Sequence, residues 1–188
     1  MKKWIFSIIV LLILLGSALI VGVYMRFPVR HLDVIEEVAG DIDPTWILAV
    51  IMAESSFRPE AESHRGARGL MQLMPTTAEW VAELMGKTDF DPESVWQPEV
   101  NIAMGSFYLN WLYRYYDQDL DLAIAAYNAG LGNVNRWLQD PEFSSDGRNL
   151  DVIPFNETAN YVRRVAFNQR VYQLILGFTR WLNQGGSQ

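Results

Sequence analysis

Asp43-Pro44-Thr45-Trp46-Ile47-Leu48-Ala49-Val50-Ile51-Met52-Ala53-Glu54 reads as a helix whose start is encoded in its first two residues. Aspartate at the cap offers an oxygen to an orphan backbone N–H, and proline at the first helical position has no N–H to leave unsatisfied. Ile47, Val50, Ile51 and Glu54 recur at steps of three and four, so they share one face, and Pro59 forbids continuation. Apart from Glu54, that face points into a core. A carboxylate there is costly to bury unless it is paired or takes up a proton. Such a group is often an acid of raised pKa, able to protonate a leaving oxygen near neutral pH. The plain alternative is a helix-end glutamate paired with Arg58, four residues on.

Directly after this helix comes His64-Arg65-Gly66-Ala67-Arg68-Gly69-Leu70-Met71-Gln72-Leu73-Met74-Pro75, whose two glycines argue for a loop or hairpin. A second helix follows Pro75 through Trp80, Val81 and Leu84 and stops near Gly86. The next begins around Pro98 and carries Val100, Met104, Phe107, Tyr108, Trp111, Leu112 and Tyr115 at helical spacing, a broad aromatic stripe suited to a core. Shorter helices are expected over Leu120–Ala126 and Asn133–Leu138. A long one is expected over Glu157–Leu182, N-capped by Asn156 and ended by Gly185-Gly186. Strands are few and short at most. The fold class is mainly α, with no more than a small β-hairpin.

Working outward to the other end, an apolar or small-residue run extends from Trp4 to Tyr24, between Lys2-Lys3 and Arg26. About 20 helical residues cross a hydrocarbon core, so this run is read as one transmembrane helix. The domain boundaries are then residues 1–28 for the anchor and 29–188 for the domain. A cleaved signal peptide is the alternative, with Gly16 and Ala18 as a small-residue cleavage site. The continuation Leu19-Ile20-Val21-Gly22-Val23 favours the anchor. Flanking basic residues nearly balance, Lys2 and Lys3 against Arg26 and Arg30. The α-amine, together with Asp33, Glu36 and Glu37, favours the N-terminus inside and the domain outside. The expected location is the cell membrane, single-pass, with the domain extracytoplasmic.

Composition narrows the function. A net charge of -7 argues against a nucleic-acid partner, which usually needs a basic face. The absence of cysteine excludes disulfides, thiolate metal sites and cysteine nucleophiles. His31 and His64 are the only histidines, so no His-rich metal site and no cofactor are expected. Glycosidases usually flank the scissile bond with two carboxylates. From Ser63 to Ala78, however, there is no Asp or Glu. A site built from Glu54 and this loop has one acid, and the substrate itself has to supply the second nucleophile.

Four motifs in order resemble one family. Glu54-Ser55-Ser56-Phe57, Gly69-Leu70-Met71-Gln72-Leu73-Met74-Pro75, Ala126-Tyr127-Asn128-Ala129-Gly130 and Ile153-Pro154-Phe155-Asn156-Glu157-Thr158-Ala159-Asn160-Tyr161-Val162 are similar to the soluble lytic transglycosylase domain, of the lysozyme-like superfamily. The similarity runs from about Ile42 to Val165. It implies a lysozyme-like, mostly helical fold with a groove for glycan. It also implies cleavage of the β-1,4 bond between N-acetylmuramic acid and N-acetylglucosamine without water, leaving 1,6-anhydromuramyl ends.

By resemblance, Glu54 is the catalytic acid and then base. Ser63 would hydrogen-bond substrate, or simply serve its loop. Gln72 and Met74 would line the groove, one as a polar contact and one as an apolar platform, with packing beneath the loop as the alternative for each. Tyr127 would place its hydroxyl near Glu54 or the sugar. Asn128 is expected to organise the turn at Ala129-Gly130 more than to touch substrate. Glu157 matches a family acid in the groove, although an acid just inside a helix N-terminus is favourable in any case. Tyr161, one turn later, reads as core. The polar stretch Ser144-Ser145-Asp146-Gly147-Arg148-Asn149 has no counterpart in the family reading and would border a distal subsite.

Two further functions compete with the lytic transglycosylase reading. One is a hydrolytic muramidase of the same fold, with Glu157 as the second carboxylate. The other is a non-catalytic glycan-binding module or scaffold, against which the carboxylate on an apolar helix face argues. The partners expected are peptidoglycan glycan strands and, through the N-terminal helix, a membrane.

Overall fold

The structure is a computed structural model describing residues 2–185. It divides into two compact units, Met1–Arg30 and His31–Gln188. In the first, α1 spans Lys2–Arg26, with no acidic residue and apolar side chains on every face. Its apolar part, Trp4–Arg26, is 23 residues long. At about 1.5 Å per residue that is roughly 34 Å, enough to cross a bilayer core of about 30 Å. Met1, with the α-amine expected to favour an inside N-terminus, and Gly186, of the expected helix stop, lie outside the described residues.

The second unit is all-helical among the described residues. Its elements are α2 (Leu32–Val38), α3 (Pro44–Glu54), α4 (Pro75–Leu84), a 3₁₀ turn (Pro92–Trp96), α5 (Pro98–Tyr115), α6 (Leu120–Ala129), α7 (Leu131–Leu138) and α8 (Asn156–Gly185). Only isolated bridges, Glu62 with Arg68 and Arg68 with Leu73, represent β structure. Neither α2 nor the 3₁₀ turn was anticipated from periodicity: both are too short to show a repeat.

α3 begins as its sequence requires. Asp43 accepts from Thr45 N at 2.9 Å and from the Thr45 hydroxyl. Its burial differs from the one-face expectation, because Leu48, Ala49 and Met52 are buried along with Ile47, Val50 and Ile51. The residues between the expected stripe positions are themselves apolar, so the helix suits a fully enclosed place better than an amphipathic one. It packs along α8 and also against α2. Polar links fix the α3–α8 register: Gln169 Nε2 donates to Thr45 Oγ1 (3.2 Å) and Asn168 Nδ2 to the Ala49 carbonyl (3.3 Å).

The helix stops at Glu54, well before Pro59 demands it. Ser56 (φ 53°) and Phe57 (φ 62°) are consecutive left-handed residues, a costly arrangement for non-glycine side chains. The compensation is burial of Phe57, whose ring meets Tyr172 of α8 edge-on at 6.4 Å. α8 starts at Asn156, and the Phe155 carbonyl accepts from Ala159 N at 2.9 Å, so the cap lies one residue earlier than the expected Asn156.

Candidate active site

The chain reversal after α3 leaves Glu54 at the floor of a cleft of about 380 Å³. Its walls are formed by Ser63, His64, Arg65, Ala67, Gln72 and Met74 from the loop, Tyr127 and Asn128 from the end of α6, and Glu157 from the start of α8. All seven residues singled out from sequence are therefore brought to one cleft. His64 and Arg65 also line it and were missed; their place between Ser63 and Gly66, inside the loop already under suspicion, was the available signal.

Burial dominates the electrostatics of Glu54. It pushes the carboxyl from its ordinary value of 4.5 to about 7, against the smaller downward pulls of a hydrogen bond from Tyr161 and the positive charge of Arg164. The Tyr161 hydroxyl donates to Oε1 at 2.7 Å. Tyr161 is thus buried, as a core residue would be, and also holds the acid. Its own ionisation is driven well above 10, chiefly by burial and then by Glu54, so it remains a donor. Tyr127 is likewise pushed well above 10 by burial and next by Glu54, which places it in the field of the acid. Its hydroxyl donates to the Met71 carbonyl at 2.8 Å, so Tyr127 braces the loop while its ring lines the cleft. Arg58 is not the partner of Glu54: its Nε donates to the Ser55 carbonyl at 3.0 Å.

The loop is braced by its own hydrogen bonds. Ser63 N donates to the Ala67 carbonyl and Ser63 Oγ accepts from Ala67 N, both at 2.9 Å. Gln72 Nε2 donates to the carbonyls of Ala61 and Gly69 at 2.9 Å each. Both residues that the resemblance gives to the substrate thus also serve the loop. A buried residue of α5 clamps the far side. Asn101 Oδ1 accepts from Met71 N (2.7 Å), and its Nδ2 donates to the carbonyls of Arg68 and Val95 (2.9 Å each). Gly69 is required beneath it, since a Cβ there would sit 2.3 Å from Asn101 Nδ2 and the backbone is left-handed (φ 77°).

Met74, by contrast, is 37% exposed rather than packed under the loop. Together with Gln72, Tyr127 and Asn128 it also lines a neighbouring hollow of about 220 Å³, which includes Tyr108 and Gly130 and extends the groove. Asn128 Oδ1 accepts from Thr158 Oγ1 at 2.8 Å, tying the end of α6 to the first turn of α8. Glu157 is exposed in that turn. The Ser144–Asn149 stretch lines neither hollow; Asp146 organises it, accepting from the backbone of Arg148 (2.8 Å) and Asn149 (2.7 Å). Among the described residues no cluster of His, Cys, Asp and Glu has the makings of a metal site.

The transglycosylase SLT domain model matches residues 35–149. The soluble lytic murein transglycosylase of Salmonella typhimurium is 34% identical over 156 residues, 81% of this chain and 24% of that protein. The membrane-bound lytic murein transglycosylase F of Pasteurella multocida is 36% identical over 105 residues, 53% of this chain and 20% of that one. Among solved structures, an inactive mutant of the lytic transglycosylase Slt from Pseudomonas aeruginosa superposes with a TM-score of 0.73 at 34% identity, over 82% of this chain and 25% of that one. The 70-kDa soluble lytic transglycosylase of Escherichia coli gives 0.73 at 29% identity, over 82% and 26%. The chain thus spans about a quarter or less of the length of these relatives. Glu54, the loop and the AYNAG motif fall inside the matched segment, while Tyr161 is contributed from beyond it. On this match of sequence, fold and residue order, the chain belongs to the transglycosylase SLT domain family.

Proposed function

We propose that this chain is a peptidoglycan lytic transglycosylase that cleaves the β-1,4 bond between N-acetylmuramic acid and N-acetylglucosamine and leaves 1,6-anhydromuramyl ends. The observation that carries the reading is Glu54: a partly buried carboxyl with a pKa raised to about 7, opening into a cleft and bonded through one oxygen to a tyrosine. A carboxyl half-protonated near neutrality can both give and take a proton. With Oε1 occupied by Tyr161, Oε2 is the atom for the substrate.

In the first step Glu54 gives its proton to the glycosidic oxygen, and the bond from that oxygen to C1 of the muramyl sugar breaks. The C6 hydroxyl of the same sugar then attacks C1, and its proton passes to Glu54. Atoms balance without water, and the acid is regenerated. The attacking hydroxyl is covalently part of the ring, so its effective concentration is high. The substrate's own N-acetyl group helps to stabilise the cationic centre.

Met74 and the Tyr127 ring supply apolar surface for pyranose faces, while Ser63, Gln72 and Asn128 supply polar contacts at the cleft wall. Glu157 is a binding residue in this scheme. It also keeps a second reading specific, because it lines the same cleft and is the carboxylate that a water-using muramidase of this fold would employ. We further infer that α1 is a single-pass anchor with the domain outside the cell, which accords with its apolar length and with membrane-bound relatives. Analysis of the glycan ends released from purified peptidoglycan by the wild type and by Glu157→Gln separates the two chemistries: anhydro ends support transglycosylation, and new reducing ends that the variant fails to make support hydrolysis through Glu157.

A further inference from the structure

α8 has two faces. Tyr161, Val165, Tyr172 and Leu176 are buried, on the helix that packs along α3. On its other side Leu174, Phe178, Trp181 and Leu182 recur at the helical positions i, i+4, i+7 and i+8, all of them exposed, Leu174 at 75% and Trp181 at 66%. Phe178 and Trp181 stack on each other at 6.0 Å, so their rings form one apolar plate. An apolar strip of this kind on a helix in an acidic chain calls for an occupant.

Charge indicates which. After Glu157 the helix contains no acidic residue, while Arg163, Arg164, Arg170 and Arg180 follow, in a chain whose net charge is -7. Arg164 acts on Glu54, and Arg180 lies 3.8 Å from Glu36. Arg163 and Arg170 are exposed. A helix with aromatic and leucine side chains on one exposed strip, arginines earlier along its exposed surface and no acid after Glu157 is suited to the boundary between anionic headgroups and acyl chains. The covalent chain makes that surface reachable. Only Phe27–Arg30 separate the end of α1 from the second unit, a tether of under about 20 Å when fully extended.

We propose that the outward strip Leu174–Leu182 of α8 docks on an anionic lipid surface, as a membrane contact additional to α1. Trp181 and Phe178 insert at headgroup depth, and Arg163 and Arg170 face the lipid phosphates. Such a contact would give the second unit an attachment to the bilayer of its own.

The chain contains no cysteine, so single-cysteine variants can each carry one fluorophore. The full chain is reconstituted into phosphatidylglycerol–phosphatidylcholine vesicles with nitroxide-labelled lipid as the quencher. Probes are placed at Leu174→Cys and Phe178→Cys, at the exposed turn residue Glu142→Cys, and at Ser17→Cys in α1. The expected result is severalfold stronger quenching at 174 and 178 than at 142, and a loss of that excess in vesicles of phosphatidylcholine alone. Quenching at 17 but not at 174 or 178 overturns the α8 contact while leaving the anchor intact. Probes at 174 and 178 that are shielded from aqueous iodide yet untouched by nitroxide lipid also overturn it, in favour of a protein occupant such as a second copy. Equal quenching without anionic lipid overturns the role given to the arginines.

Discussion

The hydroxyl of Tyr161 meets Oε1 of Glu54 at 2.7 Å, joining two residues 107 positions apart and making the acid a property of two packed helices, α3 and α8. Burial raises the carboxyl, and the tyrosine restrains the rise by bonding to its charged form. Tyr161→Phe therefore moves the Glu54 pKa further up. Since the first step needs the protonated acid, the alkaline limb of kcat/KM shifts to higher pH. The rate falls roughly tenfold for the lost positioning. A pH profile of the variant beside the wild type checks both, and an alkaline limb that moves down would refute the assignment.

The raised pKa also has a stability consequence. Unfolded, Glu54 titrates near 4.5, and folded, near 7, so between those values the native state holds the extra proton. Stability then falls as pH rises through this window, and the loss is complete above it. The difference, 7 − 4.5 = 2.5, corresponds to at most about 3 kcal/mol. Glu54→Gln is neutral at every pH, so it should raise the Tm at pH 8 and lose that advantage near pH 4. A variant no more stable than wild type at pH 8 would mean that the carboxylate is well solvated.

Asn101 tests whether the loop is built from behind. Its side chain satisfies the backbone at Arg68, Met71 and Val95, all on one buried amide. Asn101→Ala strands these groups and should cost about 2–4 kcal/mol in a urea titration, with activity lost alongside. Asn101→Asp, which keeps the acceptor for Met71 N but not the donors, should not rescue it.

Met74 offers the opposite separation. It is exposed at the cleft wall, so Met74→Ala should change stability by less than about 1 kcal/mol. Its apolar face contributes to sugar binding in the proposed function, so KM for glycan strands should rise while Tm holds. A large fall in Tm with unchanged KM would return Met74 to a packing role.

What the sequence disclosed and what it hid follow physical lines. Helix starts at Pro44, Pro75 and Pro98 were legible because proline fixes φ and marks the first turn, whatever the tertiary context. The cleft residues were legible because four short motifs carry all the predicted ones except Ser63. The enclosure of α3 was not, since the count of apolar positions on one face says nothing about what covers the others. Tyr161 was read as core, and it is buried; its hydroxyl bond was hidden because nothing local in α8 points to Glu54. Asn101 was overlooked for a similar reason: its three partners all lie on other segments, and within α5 it is an asparagine in an apolar stripe. The buttressing of Ser63 and Gln72 by their own loop was equally invisible, because it depends on a hydrogen-bond pattern that the glycines permit but do not specify.

Whether Glu54 drives a water-free cleavage is read by mass spectrometry of the glycan products from purified peptidoglycan treated with the wild-type chain or with Glu54→Gln. The expected products are 1,6-anhydromuramyl ends from the wild type and none from the folded variant. Anhydro ends produced at an undiminished rate by Glu54→Gln, or free reducing ends from the wild type, would contradict a water-free cleavage by Glu54.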